Sequence, residues 1–150
     1  MLTILSIAIL IVSVILHEVS HGYMADFLGD PTPRLSGRLT LNPIKHIDPM
    51  GSIIVPLITS LAGFTFGWAK PVPYNPYNLK NKRTGEFLIA AAGPASNLLF
   101  ALIFGTILRF TAADAVALTP FMTIVSYIVI INIILAIFNL IPLPPLDGSK

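Results

Sequence analysis

Two histidines four residues apart, with a glutamate directly after the first, stand at His17, Glu18 and His21 in the run HEVSH. On a helix, residues at i and i+4 share a face, so both imidazoles can meet one metal ion. Glu18 lies within reach of a water that such an ion would activate for attack on a carbonyl. The spacing therefore predicts a hydrolytic metal site, with His17 and His21 as ligands and Glu18 as general base. A catalytic zinc ion needs three protein ligands and one open position. A third ligand must come from elsewhere.

The chain has no cysteine, which excludes thiolate ligands, disulfides and a cysteine nucleophile. The remaining candidates are His46, Asp26, Asp30, Asp48, Glu86, Asp114 and Asp147. Asp26 falls five residues after His21 and so points to another helical face. Glu86 beside a basic cluster and Asp114 in a non-basic loop both read as solvated, and His46, in KHIDP, reads as a loop residue. Asp147 stands out because it closes the long apolar run 115–146, in NLIPLPPLDG. Pro142, Pro144 and Pro145 stop a regular helix there, and Gly148 permits an unusual turn.

The elements that must bring these residues together follow from composition. Of 150 residues 55% are apolar and 11% charged, with a mean hydropathy of +0.83. A water-soluble domain carries roughly a quarter charged residues, so the lipid bilayer is the solvent. Disorder is excluded by the same numbers. A net charge of +2 without a nucleic-acid motif excludes nucleic acid as a partner. Four charge-free stretches appear: 2–16, whose apolar character resumes around HEVSH and runs to about Leu28, then 49–69, 87–108 and 115–146. Each is long enough for a membrane helix, which needs about 20 apolar residues. The first lacks a basic leader and a cleavage signal, so it reads as a retained helix. Ionisable side chains in such helices cost about 2.5–3.5 kcal/mol each and mark function.

The stretch 49–69 differs, because Gly51, Pro56, Gly63 and Gly67 interrupt it. Arg34, Arg38, Lys45, Lys70, Lys80, Lys82 and Arg83 lie on both sides of it, whereas 111–120 has no basic residue. Cytoplasmic loops are the Lys/Arg-rich ones, so a segment that dips in and returns keeps all seven basic residues on the cytoplasmic side. The site demands the same topology. HExxH lies roughly 10–16 Å below the end of helix 1 at 1.5 Å per residue, and Asp147 follows the last helix. With spans of about 2–28, 86–110 and 121–142, both ends emerge on the cytoplasmic face; a fourth span would part them. Charge agrees: two neutral histidines with ionised Asp147 and Glu18 total −2, which Zn²⁺ offsets. The expected architecture is an all-α polytopic membrane protein. Residues 1–150 form a single membrane-embedded unit of three transmembrane helices, with a re-entrant or β-hairpin segment between the first two.

The motifs resemble those of the site-2 protease family of intramembrane zinc metalloproteases. HEVSH at 17–21 is similar to its zinc motif, and LDG at 146–148, preceded by Asn139 in NLIP, is similar to its second signature. GPASN at 93–97 resembles the motif of its middle helix. GRLTLNPIKHIDPMGS and GWAKPVPYNP resemble the small bacterial and archaeal members without appended domains. The resemblance implies one Zn²⁺ held by His17, His21 and Asp147, in a three-helix core that cleaves transmembrane segments of other proteins during regulated intramembrane proteolysis. It also implies membrane-associated strands between helix 1 and the middle helix, holding an unwound substrate in extended form. It places the protein in the cytoplasmic membrane. Family members usually continue past LDG with more helix, so the chain is expected to be truncated at its C-terminus.

Beside the resemblance, Gly93 reads as a small residue for close helix packing. Asn97 and Asn139 are candidates for orienting substrate or stabilising an oxyanion. Trp68, Tyr74 and Tyr77 read as interface anchors, and Asn132 as interhelical glue. Two rival readings differ in class. A metal-binding channel or transporter needs a polar path through the bilayer, for which the later helices offer only Asn97, Asn132, Asn139 and hydroxyls. An inactive scaffold for transmembrane partners has no need of Glu18.

Overall fold

The computed structural model describes residues 2–61, 68–112, 119–144 and 146–149. The first apolar run folds as helix α1, Leu2–Phe27, without a proline to interrupt it. A one-turn helix α2, Thr32–Leu35, and a 3₁₀ turn at Pro43–His46 follow. Pro49–Ile54 is a π-helical turn that runs into α3, Val55–Leu61. Asp48 caps it, accepting the Met50 N–H at 2.9 Å and the Gly51 N–H at 3.3 Å. Helix α4 spans Lys82–Ala112 and α5 spans Pro120–Asn139. A final 3₁₀ turn, Asp147–Ser149, closes the described chain.

Among the described residues, three helices are long and apolar enough to cross a membrane: Ile4–Phe27, Lys82–Thr111 and Pro120–Asn139. Their packing supports that environment. Large apolar side chains such as Ile4, Phe110 and Ile137 face outward, while Ser13, His17, His21, Asn97 and Asn132 are buried. Polar groups inside and hydrocarbon outside is the arrangement a lipid solvent selects. Helices α1, α4 and α5 pack on one another, and the Asp147–Ser149 turn rests on α4.

Two helix limits differ from the sequence expectation. Helix α4 starts at Lys82 rather than near 86, because Asn81 caps it: its Oδ1 accepts the Thr84 N–H at 3.1 Å. Helix α5 ends at Asn139, with Leu140 as its cap, before Pro142 can intervene. The intermediate segment differs in kind. Among the described residues there is no strand, and Pro49–Leu61 is helical. Residues 62–67 of the expected re-entrant stretch lie outside the described residues, as does Asp114. The two ends of the stretch nevertheless meet: the Trp68 N–H donates to the Gly51 carbonyl at 3.0 Å, and the Ser52 hydroxyl donates to the Trp68 carbonyl at 2.9 Å.

Candidate metal centre

The HExxH turn of α1 faces inward, with His17 and His21 both under 10% exposed. Their rings meet edge to face with centroids 4.6 Å apart, and their Nε2 atoms are 3.0 Å apart. Asp147 Oδ2 lies 3.0 Å from each Nε2. Among the described residues these three form a group whose ligand atoms all fall within 4.8 Å of one another. The two ends of the chain therefore converge on one buried point, 126 residues apart in sequence between His21 and Asp147.

Both histidines are oriented by their surroundings. His21 Nδ1 lies 2.6 Å from the Ile89 carbonyl, which can only accept, so Nδ1 carries the proton and Nε2 presents a lone pair. His17 Nδ1 faces the Asn97 side-chain amide at 3.1 Å, and Asn97 Oδ1 is buried with no hydrogen-bond partner. Amide oxygen and nitrogen exchange places by a half-turn. With Oδ1 toward the ring it accepts the Nδ1–H, gains its missing donor and leaves His17 Nε2 as a ligand. Two imidazole lone pairs and a carboxylate this close repel one another unless a cation lies between them. Two nitrogens and one carboxylate oxygen are a donor set that fits zinc.

Glycines explain how backbones come so close. A Cβ on Gly93 would lie 2.4 Å from His21 Nε2 and 2.6 Å from His17 Cε1. Helix α4 thus touches the ligand pair through a position that tolerates no side chain. Beyond it, Pro94 is fully buried inside the helix and cannot donate to the Ala90 carbonyl. On the other side, a Cβ on Gly148 would stand 2.4 Å from the Leu140 carbonyl oxygen. Positive φ among the described residues is confined to Gly29 and Gly37. Gly148 therefore serves close approach, which folds Asp147 back on the end of α5, rather than the unusual turn expected from LDG.

The other predicted residues fall as follows. Glu18 is half-buried, and its Oε2 accepts the Val72 backbone N–H at 3.0 Å. Asn97 lies against the imidazole of His17, its amide 3.1 Å from Nδ1. Asn139 ends α5 and donates from Nδ2 to the Leu135 carbonyl at 3.0 Å. Asn132 does bridge helices, donating to Ser13 Oγ at 3.0 Å. His46 is buried in its 3₁₀ turn and hydrogen-bonds the Thr40 carbonyl at 2.8 Å, away from the three ligands. Sequence reasoning missed the Ile89 carbonyl and the Val72 amide, since backbone groups leave no residue signature. It also assigned Gly93 to packing alone, although its place in GPASN beside Asn97 was a usable signal.

Comparisons with known proteins agree with this geometry. Residues 105–150, which take in the end of α4, α5 and the Asp147 turn, match the model of Peptidase family M50. Over 146 residues the chain is 44% identical to a Bacillus subtilis protein named "Putative zinc metalloprotease YwhC", covering 94% of this chain and 64% of that protein. These matches make the chain similar to peptidase family M50, the site-2 proteases. Two mycobacterial proteins carrying the same designation, both called Rip2, are also similar to this chain. The one from Mycolicibacterium smegmatis is 33% identical, with coverage of 97% of this chain and 54% of that protein. The one from Mycobacterium tuberculosis is 30% identical, covering 92% and 52%. The chain thus spans between about half and two thirds of the length of these relatives. No solved structure matches it.

Proposed function

We propose that this chain is the core of an intramembrane zinc metalloendopeptidase, which cleaves transmembrane segments of other membrane proteins in regulated intramembrane proteolysis. The observation that carries the reading is the meeting of His17, His21 and Asp147 beside Glu18 inside an apolar bundle. His17 Nε2, His21 Nε2 and an Asp147 carboxylate oxygen would hold Zn²⁺. When bound, zinc supplies Lewis acidity that polarises the scissile carbonyl and acidifies water to near neutrality. Glu18 takes the proton of the attacking water and returns it to the leaving amine nitrogen. Asn97 orients His17, and Asn139, at the end of α5, orients the substrate chain. The protein is a multi-pass protein of the cytoplasmic membrane, with the site toward the cytoplasm and residues 49–69 re-entrant. The contact of Trp68 with Gly51 supports a segment that leaves where it entered.

The decisive test incubates the purified, metal-analysed protein with model transmembrane peptides, with and without a chelator. Cleavage is expected to stop with the chelator and return with zinc. Glu18→Gln is expected to keep its zinc and lose cleavage. Wild-type rates in that variant would remove the assigned base.

A further inference from the structure

Val72 lies in a loop, yet it is 7% exposed. It sits between Pro71 and Pro73, which have no N–H, so it carries the sole backbone donor of residues 71–73. That donor goes to Glu18 Oε2 at 3.0 Å, across 54 residues of sequence. Its side chain rests against α1 at Gly22, where a Cβ would come within 2.8 Å of Val72 Cγ1.

The loop around it is tied down on both sides. Upstream, the Lys70 N–H donates to the His46 carbonyl at 2.9 Å, and Arg38 Nη2 donates to the Pro71 carbonyl at 3.3 Å. Downstream, Asp30 has no exposed surface and gathers the chain beyond the strap. Its Oδ2 accepts the Asn75 N–H at 2.6 Å and its Oδ1 accepts Asn78 Nδ2 at 2.7 Å. Thr32 completes the knot through its N–H at 3.1 Å and its hydroxyl at 2.5 Å. Residues 70–78 thus form a strap anchored at each end, with a single donor presented to the carboxylate between the metal ligands.

We propose that Val72 is a positioning residue for the general base. Its amide fixes Glu18 Oε2, so that Oε1 is the oxygen that takes the water proton and passes it to the leaving nitrogen. Asp30 keeps that amide in register by holding the far end of the strap. The inference rests on Glu18 being the base. It adds that the orientation of this base comes from a backbone group of another segment, not from helix α1.

Two measurements test it. The first is hydrogen exchange at the Val72 amide, followed in the detergent-solubilised protein without substrate. A hydrogen bond to a charged acceptor predicts a fall in protection of roughly ten- to hundredfold in Glu18→Ala. In Glu18→Gln the side-chain carbonyl still accepts, and protection is retained. The second compares Val72→Pro, which removes the donor, with Val72→Ala, which keeps it. Val72→Pro is expected to lower kcat roughly tenfold or more, leaving KM and zinc content within about twofold. Val72→Ala, with the donor in place, is expected to hold a kcat well above that of Val72→Pro. Unchanged Val72 protection in Glu18→Ala, or parental kcat in Val72→Pro, would overturn the proposal while leaving the base assignment intact. Parental cleavage by Glu18→Gln would overturn both, and is told apart because it is read in a variant whose strap bond survives.

Discussion

At the level of single residues, the proposed metal centre depends as much on what orients His17 and His21 as on the candidate ligands themselves. Asn97 meets His17 at Nδ1, the nitrogen that decides which tautomer is present. Losing such a partner typically costs 10–100-fold in metal affinity, as an order of magnitude. Asn97→Leu, which keeps the volume and removes the amide, is expected to weaken zinc binding by about that factor. Asn97→Asp, which still accepts the Nδ1–H, is expected to restore it. Equal zinc affinity across the three proteins, measured by competition with a chelator, would leave Asn97 with a packing role only. Gly93 offers a harsher test. A methyl group there would press on both imidazoles, so Gly93→Ala is expected to abolish stoichiometric zinc binding while the helical circular dichroism persists. HExxH was legible because its spacing states its geometry outright. Gly93 was legible only as a small residue, because a sequence does not say what lies opposite it.

At the level of elements, the apolar runs announced three helices within a few residues of their ends, since a lipid solvent leaves hydrophobic length as the main constraint. The segment after α1 was harder to read. Glycines and prolines in 49–69 pointed to irregular backbone, but Asp48 and Pro49 together start a helix, and Pro49–Leu61 follows it. The strap and its Asp30 knot were not visible at all, because they join residues 45 and 48 positions apart through backbone and amide groups. The knot should respond to acid. Burial opposes ionisation of Asp30, but bonds from the Thr32 hydroxyl, the Asn78 amide and the Asn75 and Thr32 N–H groups outweigh it and hold the carboxyl below its usual range. A depressed folded value means that the contribution is complete above the unfolded value of about 3.9. It is lost as pH falls through the folded value. Exchange protection at Asn75, corrected for intrinsic rates, is therefore expected to stay level down to about pH 4 and to collapse below it. In Asp30→Asn protection is expected to be weaker at neutral pH and to show no acid transition. A wild-type profile unaffected by the substitution would show that the strap is held by something other than this carboxylate.

At the level of the whole molecule, the site requires the ends of α1 and α5 to lie on the same side of the membrane. Asp147 reaches His17 and His21 in the folded chain, and it follows the third of the three long apolar helices among the described residues. An odd number of crossings between the start of α1 and the end of α5 places the exit of α1 and the exit of α5 together, as the shared site requires. The contact between Trp68 and Gly51 fits that count, because a segment that returns to its point of entry adds no crossing. The charge pattern was enough to suggest this from sequence, since basic residues flank 49–69 on both sides and are missing from 111–120. The chain has no cysteine, so single cysteines can report sidedness without a background. Lys45→Cys and Lys80→Cys are expected to react with a membrane-impermeant thiol reagent from the cytoplasmic side alone, and Thr119→Cys from the opposite side alone. Labelling of Lys45→Cys and Lys80→Cys from opposite sides would make 49–69 a true span. The basic residues would then be divided by the bilayer, and the ends of α1 and α5 could no longer share one face by the crossings counted here.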